Sequence, residues 1–280
     1  MRKSKNAQVA PVLKWVGGKR QLLNEMIPLL PRNISVYCEP FVGGGALFFY
    51  LQPKDAYIND INSDLILVYK VIRDNADSLI ATLQKFKNRA EDFYSIRNWD
   101  RNKARYHSLS DVKKAARMIY LNKTCYNGLF RVNSAGEFNS PFGYYHNPNI
   151  VNAPTLKAVS SYLNSAKIHL TSLDYAEVLK KLPKGSFVYL DPPYDPLSET
   201  SNFTGYVKGG FSHDDQIRLR KSCDCLTKRG IQFMLSNSAT DFIKKQYSAY
   251  NIKIVKAKRS VNSVASKRGE IDEVVIRNYE

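Results

Sequence analysis

The segment Phe187-Val188-Tyr189-Leu190-Asp191-Pro192-Pro193-Tyr194 indicates the fold class more directly than any other stretch of the chain. Its first four residues are apolar or aromatic and predict a buried strand. The two prolines after Asp191 cannot continue the ladder of a central strand, so the chain must leave the sheet there. Open α/β sheets bind their ligands at this carboxyl edge. The segment therefore predicts a strand that ends in a binding site.

Short runs of β-branched and aromatic residues recur along the chain and predict further strands. They lie at 34–38, 56–59, 167–170, 186–190, 231–235, 251–255 and 273–277. Helix patterns lie between many of these runs, and one of them begins with a capping pair, Ser212 and Asp215, and ends at Gly230. Strands that alternate with helices predict a parallel α/β sheet.

The alternation breaks between about residues 64 and 165, where several helical stretches follow one another. The stretch 126–138 is rich in Gly, Asn and aromatic residues and predicts a β-hairpin that turns at 134–136. We therefore predict that 1–63 and 166–280 form one α/β domain and that 64–165 is a helical and hairpin insertion.

The charge favours a polyanionic partner. The 280 residues include 42 Lys and Arg against 25 Asp and Glu, a formal net charge of +17. The basic residues form three clusters, with nine bases and two acids at 97–131 and six bases without an acid at both 2–20 and 253–268. Neutralised phosphates release counterions, so such clusters favour nucleic acid over the alternative of a plain solvated surface.

Composition excludes several classes of protein. With 44% hydrophobic residues the chain can bury a core, which argues against disorder. No run approaches the roughly 18 apolar residues of a membrane span, and no apolar segment follows the basic residues 1–5. The four cysteines include no CxxC pair and the four histidines lie far apart, so we expect no metal site. We expect a cytoplasmic protein with reduced thiols and no membrane partner.

A glycine loop, residues 39–45 (Glu39-Pro40-Phe41-Val42-Gly43-Gly44-Gly45), follows the first predicted strand and precedes a helix pattern. Glycines at such a junction let the backbone approach a ligand that a Cβ would block. A dinucleotide fingerprint needs another glycine where Phe48 stands, so the loop argues against NAD but not against a smaller adenosine cofactor. Asp60 ends the second strand, where an acid binds ribose hydroxyls in doubly wound folds; the alternative is an Asn-Asp turn before a helix.

The Asp-Pro-Pro-Tyr turn, residues 191–194, places a carboxylate, rigid carbonyls and an aromatic face within four residues. Such a set can bind a planar amine, with Asp191 and a proline-region carbonyl accepting its N–H bonds and Tyr194 stacking on the ring. With both protons engaged, the nitrogen shifts toward tetrahedral geometry and its lone pair becomes available for attack. The alternative is a turn that only ends a strand.

Four motifs in this order resemble the Dam family of DNA adenine methyltransferases. They are Lys14-Trp15-Val16-Gly17-Gly18-Lys19, the glycine loop, Asn127-Gly128-Leu129-Phe130-Arg131 with Pro141-Phe142-Gly143, and the Asp-Pro-Pro-Tyr turn. The resemblance spans residues 14–279. It implies a seven-stranded Rossmann-like methyltransferase sheet whose last strand, near 272–279, runs antiparallel, with the insertion as a target-recognition subdomain. It also implies S-adenosylmethionine-dependent methylation of the exocyclic amine of a flipped adenine in double-stranded DNA, usually within GATC.

The resemblance also implies roles for individual residues. The catalytic residues would be Asp191, Pro192, Pro193 and Tyr194. The cofactor-binding residues would be Trp15, Lys19, Glu39, Phe41, Gly43, Gly45, Asp60, Asp174 and Asp191. The DNA-binding residues would be Lys14, Tyr126, Asn127, Leu129, Arg131 and Pro141. Asp174 has a helix N-cap as its alternative role, and Arg131 a phosphate contact instead of a guanine edge.

Two other functions fit the same residues. A flipped cytosine, or adenine in RNA, presents an amine to the same acceptors, and a non-catalytic protein with this fold would bind nucleic acid through the same basic clusters. The complete Asp-Pro-Pro-Tyr turn and the hairpin favour a DNA adenine enzyme. We expect that enzyme to act as a monomer on DNA in a prokaryotic nucleoid or a phage-infected cell, without a metal.

Overall fold

The computed structural model describes residues 5–15, 22–196, 210–258 and 270–280 of the chain. Seven strands form one sheet in the order β3-β2-β1-β4-β5-β7-β6. The strands are β1 Tyr37–Glu39, β2 Asp55–Asn59, β3 Lys167–Thr171, β4 Phe187–Leu190, β5 Gln232–Ser238, β6 Asn251–Lys258 and β7 Glu270–Arg277. All seven predicted strands are confirmed, although the first begins at Tyr37 and not at Ile34.

The sheet is parallel from β3 to β5, and β7 runs antiparallel to both β5 and β6. The predicted fold class, a seven-stranded Rossmann-like methyltransferase sheet with an antiparallel last strand, is confirmed. From β1 the chain moves outward to β2 and β3 and then returns to pair β4 with the other side of β1. This reversal is a topological switch point, where a crevice opens at the carboxyl ends of the two strands.

Helices cover both faces of the sheet. They are α1 Leu23–Met26, α2 Ala46–Leu51, α3 Ser63–Leu83, α4 Ala90–Arg97, α5 Lys103–Ser108, α6 Asp111–Thr124, α7 Ala153–Ser165, α8 Tyr175–Lys180, α9 His213–Lys228 and α10 Asp241–Gln246. Short 3-10 helices lie at Ile27–Leu29, Asn98–Arg101 and Tyr126–Gly128. The predicted capping box of α9 is confirmed, because Ser212 and Asp215 each bond the other's backbone N–H.

Alternate residues of the central strands belong to two hydrophobic clusters, one on each face of the sheet. Tyr37 and Tyr189 face a cluster that includes α3, α6 and α7, whereas Cys38 and Val188 face one that includes α8, α9 and α10. Ile119 and Phe142 of the insertion belong to the first cluster. The insertion therefore packs on one face of the sheet and shares its core, and the division at 64 and 165 stays a prediction.

The predicted hairpin is shorter than 126–138. Its turn at 134–136 is present, but Tyr126–Gly128 is a 3-10 helix, and the pairing is a single bridge from Val132 to Phe138. The Oδ1 of Asn133 accepts from the backbone N–H groups of Ala135 and Glu137, and Asp100 accepts from that of Phe138. The side chain of Asn133 thus takes the N–H of Glu137, which a longer ladder would use, and periodicity alone does not reveal this.

The basic cluster at 97–131 is partly structural, because Arg101 and Arg117 form ion pairs inside the insertion. Arg117 is buried, forms an ion pair with Asp100 at 2.7 Å and donates to the carbonyl oxygens of Ile96 and Arg97. Arg101 pairs with Asp100 and Glu137, both at 3.0 Å. These guanidiniums hold the 3-10 helix and the hairpin turn together.

All four cysteines are unpaired. Within the residues that the structure describes, no helix has the length and apolar character needed to cross a bilayer. In the same residues, no three His, Cys, Asp or Glu side chains come together as metal ligands.

Candidate active site

The glycine loop is held against the end of β2. Asp60 accepts from the backbone N–H of Gly43 with Oδ2, at 3.0 Å, and from that of Asn62 with Oδ1, at 2.9 Å. Val42 donates to the carbonyl of Asn59 at 2.9 Å. Burial raises the pKa of Asp60. The loop and Asp60 are therefore one unit, and the Asn-Asp turn expected as the alternative is present in the same place.

Trp15 packs directly on this loop. Gly43 has a φ of +47°, and a Cβ at this position would lie 2.6 Å from Cδ1 of Trp15. Trp15 also stacks on Phe130, with ring centroids 5.4 Å apart. Trp15 thus connects the glycine loop to the insertion. Gly45, at φ +67°, precedes α2 at the far end of the loop.

Phe41 of the glycine loop lies close to the start of α8, where Asp174 stands. Phe41 contacts the ring of Tyr175, which follows Asp174, at 5.2 Å. Asp174 caps α8 by accepting from Ala176 at 2.9 Å, as the alternative reading expected. Its carboxylate also receives both terminal nitrogens of Arg218, at 2.7 and 2.8 Å, and this contact lowers the pKa of Asp174. A cofactor role for Asp174 stays a prediction, and Lys19 lies outside the described residues.

Glu39 ends β1 and is buried under the loop. The Tyr37 hydroxyl donates to its Oε2 at 2.6 Å. Burial, together with the nearby carboxyls of Asp191 and Asp60, raises the pKa of Glu39 to about 8. Three acidic side chains therefore meet at the carboxyl ends of β1, β2 and β4. An edge of this kind favours a positively charged ligand.

The Asp-Pro-Pro-Tyr turn leaves β4 beside the glycine loop. Cys38 of β1 pairs with Val188 of β4, so the two strands end side by side. Asp191 is half-buried and Pro192 is buried. The carbonyl of Pro193 accepts from Nε2 of Gln216 at 2.9 Å, and the Tyr194 hydroxyl donates to Oε2 of Glu273 at 2.8 Å. The structure thus brings the turn and the loop to one edge of the sheet.

Asp195, Gln216, Asn237 and Glu273 surround this turn, and the sequence analysis did not identify them. Gln216 stands on α9, Asn237 on β5 and Glu273 on β7. These residues come close to the turn because of the strand register and the packing of α9. Neither of these produces a local pattern in the sequence. Polar residues inside apolar strands, as at Asn237 and Glu273, were the only available hint.

The DNA-binding residues named from the sequence lie along two joined segments. The side chain of Asn122, at the end of α6, accepts from the N–H of Lys14 at 2.9 Å and donates to its carbonyl at 2.7 Å. The same amide donates to the carbonyl of Gly128 at 3.1 Å. Asn122 therefore fixes the segment of Lys14 against the 3-10 helix that carries Tyr126 and Asn127.

The remaining recognition residues are also on or near the surface. The Tyr126 side chain is 56% exposed and its N–H donates to the carbonyl of Pro141 at 2.9 Å. Asn127 adopts a φ of +56°. Leu129 is half-buried, and Arg131 is exposed with its Nε donating to Oδ1 of Asn139 at 2.8 Å. Tyr126, Asn127 and Arg131 are thus exposed and Leu129 half-buried, and the contacts of these residues with bases stay predictions.

The sheet order and the two turns at its switch point define a Rossmann-like methyltransferase. Residues 15–261 match the family model for D12 class N6 adenine-specific DNA methyltransferases. The chain belongs to this family and is an adenine-specific DNA methyltransferase. Membership decides against the RNA, cytosine and non-catalytic alternatives.

Similar proteins with curated names support the same conclusion. Type II methyltransferase M.MjaIII of Methanocaldococcus jannaschii is 46% identical over 97% of this chain and 100% of its own length. Type II methyltransferase M1.LlaDCHI of Lactococcus lactis is 44% identical over 96% of this chain and 95% of its own length. The DNA adenine methylase of Escherichia coli K12 is 34% identical over 94% of this chain and 93% of its own length.

We predict that Gly43→Ala weakens methyl-donor binding and lowers the free energy of unfolding. The new Cβ adds a clash with Trp15 to the cost of a left-handed alanine, which is about 1–2 kcal/mol. Gly185→Ala is the matched control, because Gly185 has a φ of +79° and open space around its Cβ position. Denaturant unfolding and donor titration of both variants test this, and equal losses in the two would contradict it.

We predict that Glu39 makes the protein less stable as pH rises. Its folded pKa, about 8, lies above the ordinary value, so the protonated carboxyl stabilises the fold at low pH and this contribution is lost as pH rises toward 8. The free energy of unfolding should fall by up to about 1.4 kcal/mol per pH unit between about pH 5 and 8.

Glu39→Gln keeps an acceptor for the Tyr37 hydroxyl and removes the titration. Denaturant unfolding of both proteins across this range gives the difference in slope. Parallel pH profiles for the two would show that Glu39 ionises without cost.

Proposed function

We propose that the chain transfers a methyl group from S-adenosylmethionine to the exocyclic amine of a flipped adenine within GATC. The observation that carries the proposal is the meeting of the glycine loop and the Asp-Pro-Pro-Tyr turn at adjacent strand ends. Family membership supplies methyl transfer and adenine in DNA. The resemblance to the Dam family motivates GATC.

A cationic donor suits the charge of this edge. Glu39, Asp60 and Asp191 are close enough for the second and third to raise the pKa of the first. A sulfonium at this edge is attracted to its ionised carboxyls, and it supplies an activated methyl group when bound. The other residues proposed for this pocket are Trp15, Lys19, Phe41, Gly43, Gly45 and Asp174.

The Asp-Pro-Pro-Tyr turn offers two acceptors to the target amine. We propose the carboxylate of Asp191 and the carbonyl of Pro192, because the carbonyl of Pro193 already accepts from Gln216. Two accepted N–H bonds draw the nitrogen out of conjugation with the ring, and its lone pair then faces the methyl group. This step requires positioning and exclusion of water, and no general base is needed before attack.

The target amine is buried in paired DNA, so the enzyme must extrude the adenine at a cost of a few kcal/mol. We propose that Tyr194 stacks on the extruded base and that Tyr126 and Asn127 occupy the gap it leaves. The exposure of Tyr126 and Asn127 supports this role.

Base reading is assigned to Lys14, Leu129, Arg131 and Pro141. Arg131 has its Nε bonded to Asn139, which orients the guanidinium, and its terminal nitrogens suit the O6 and N7 acceptors of guanine. Leu129 and Pro141 offer apolar contact to a thymine methyl. We further propose that the enzyme acts as a monomer on DNA in a prokaryotic nucleoid or a phage-infected cell.

We predict that plasmid DNA incubated with the purified chain and S-adenosylmethionine gains N6-methyladenine at GATC. Sequencing that detects modified adenine maps every site. Asp191→Ala should retain DNA binding and part of the donor binding but lose methylation, because an acceptor of the target amine is gone. Methylation at another sequence would refute GATC alone, whereas near-normal turnover of Asp191→Ala would refute the role of this turn.

We predict that Arg131→Gln relaxes specificity at one guanine by about 1–3 kcal/mol in kcat/KM ratios. The measurement compares GATC with duplexes that carry one substituted base pair. Lys113→Gln is a control, because Lys113 is a base of the same cluster that is not assigned to base reading. If Arg131 instead contacts a phosphate, its substitution weakens binding to all duplexes alike and reduces the salt dependence.

A further inference from the structure

Three buried polar side chains contact the Asp-Pro-Pro-Tyr turn from outside the motif. Gln216 is 1% exposed, Asn237 is fully buried and Glu273 is 8% exposed. They come from α9, β5 and β7, so three separate elements meet around Tyr194. Burying polar side chains is costly unless each is hydrogen-bonded. The hydrogen bonds of these side chains therefore show which groups they hold in place.

Two of them form a chain of amides around the backbone of Tyr194. Gln216 donates to the carbonyl of Pro193 at 2.9 Å, which fixes the peptide group before Tyr194. Asn237 donates to Oε1 of Gln216 at 3.1 Å and accepts the N–H of Asp195 at 3.0 Å, which fixes the peptide group after it. In this series of hydrogen bonds, each N–H group meets an oxygen acceptor, and each amide uses its NH2 group as a donor and its oxygen as an acceptor.

Glu273 holds the other end of the Tyr194 side chain. Its Oε2 accepts from the Tyr194 hydroxyl at 2.8 Å. Burial raises the pKa of Tyr194, so the hydroxyl keeps its proton and stays a donor. With both flanking peptides and the hydroxyl engaged, the ring has little freedom to rotate.

The residue after Tyr194 is anchored as well. Asp195 is buried, and its carboxylate contacts Nε2 of His213 at 2.9 Å and accepts from the Thr240 hydroxyl at 2.6 Å. Its carbonyl accepts from the Ser238 hydroxyl, also at 2.6 Å. The chain that leads away from the motif is thus held to β5 and to the start of α10.

We propose that Gln216, Asn237 and Glu273 are positioning residues that fix the Tyr194 ring as a preformed surface for the flipped adenine. The inference rests on the proposed function, in which Tyr194 stacks on that base. A ring that is ordered in advance loses no further conformational freedom when the base arrives. It also sets the plane of the base, and through that plane the direction of the amine toward the methyl group.

A double-mutant cycle tests the contact between Tyr194 and Glu273. Tyr194→Phe and Glu273→Leu should each lower the single-turnover methylation rate about tenfold, and the double variant should be no slower than either, because all three lose one hydrogen bond. Glu273→Gln keeps an acceptor and should stay within about threefold of the wild type. Tyr279→Phe is the matched control, since its hydroxyl bonds the carbonyl of Leu29 at 2.9 Å away from the motif.

Gln216→Met tests the amide chain without relying on Glu273. Methionine has a similar length and lacks the amide, so kcat should fall about tenfold while KM for DNA stays unchanged. In duplexes with 2-aminopurine at the target position, the flipped base should be brighter with Gln216→Met than with wild type, because looser stacking quenches less. A role in fold stability alone would lower the unfolding midpoint and leave this emission unchanged.

The outcomes separate this inference from the proposed function. If the wild type leaves no N6-methyladenine in any duplex, the proposed function fails. If the wild type methylates, but the cycle is additive or Gln216→Met matches the wild type in kcat and emission, the positioning role is wrong and the function stands.

Discussion

The pairing of β1 with β4 is the constraint on which the site depends. These two strands are far apart in sequence, yet Tyr37 and Cys38 lie opposite Phe187 and Val188. Parallel strands in this register end together, so the glycine loop and the Asp-Pro-Pro-Tyr turn must emerge at the same edge. Asp60 then holds the loop from β2 through the N–H of Gly43. Without the β1 to β4 pairing, each motif would be intact and no site would exist between them.

The strands and the two motifs could be predicted from the sequence because their signals are local. A run such as residues 187–190 is apolar throughout, and prolines end it. Where the structure departs from the prediction, side chains bind groups that a regular backbone pattern would leave to the backbone or to solvent. Asn133 and Asp100 take backbone donors of the hairpin, and Arg117 leaves the basic surface to bind Asp100 in the core. Counting charges along the chain cannot separate a buried guanidinium from an exposed one.

The residues that surround the motif could not be predicted for a different reason. No motif in the sequence marks Gln216, Asn237 or Glu273. They reach Tyr194 because β5 and β7 follow β4 in the sheet and α9 packs beside them. Burying these three polar side chains lowers the stability of the fold unless each of their polar groups is hydrogen-bonded. The proposed orientation of a planar base supplies a reason for such a network, because its hydrogen bonds fix the Tyr194 hydroxyl and the two peptide groups beside the ring.

The distribution of charge favours different regions of the protein for the DNA backbone and for the proposed methyl donor. The chain as a whole carries +17, whereas the edge between β1, β2 and β4 gathers the carboxyls of Glu39, Asp60 and Asp191. Phosphates are repelled from that acidic edge and attracted to the basic surface, so under the proposed function the DNA backbone stays outside and the uncharged target base enters. The proposed cationic methyl donor has the opposite preference. Glu39 limits the repulsion among the three acids, because its raised pKa leaves it mostly protonated near neutral pH. The field that repels the backbone phosphates therefore favours the proposed donor, and the proposed flipping of the adenine brings an uncharged part of the DNA to it.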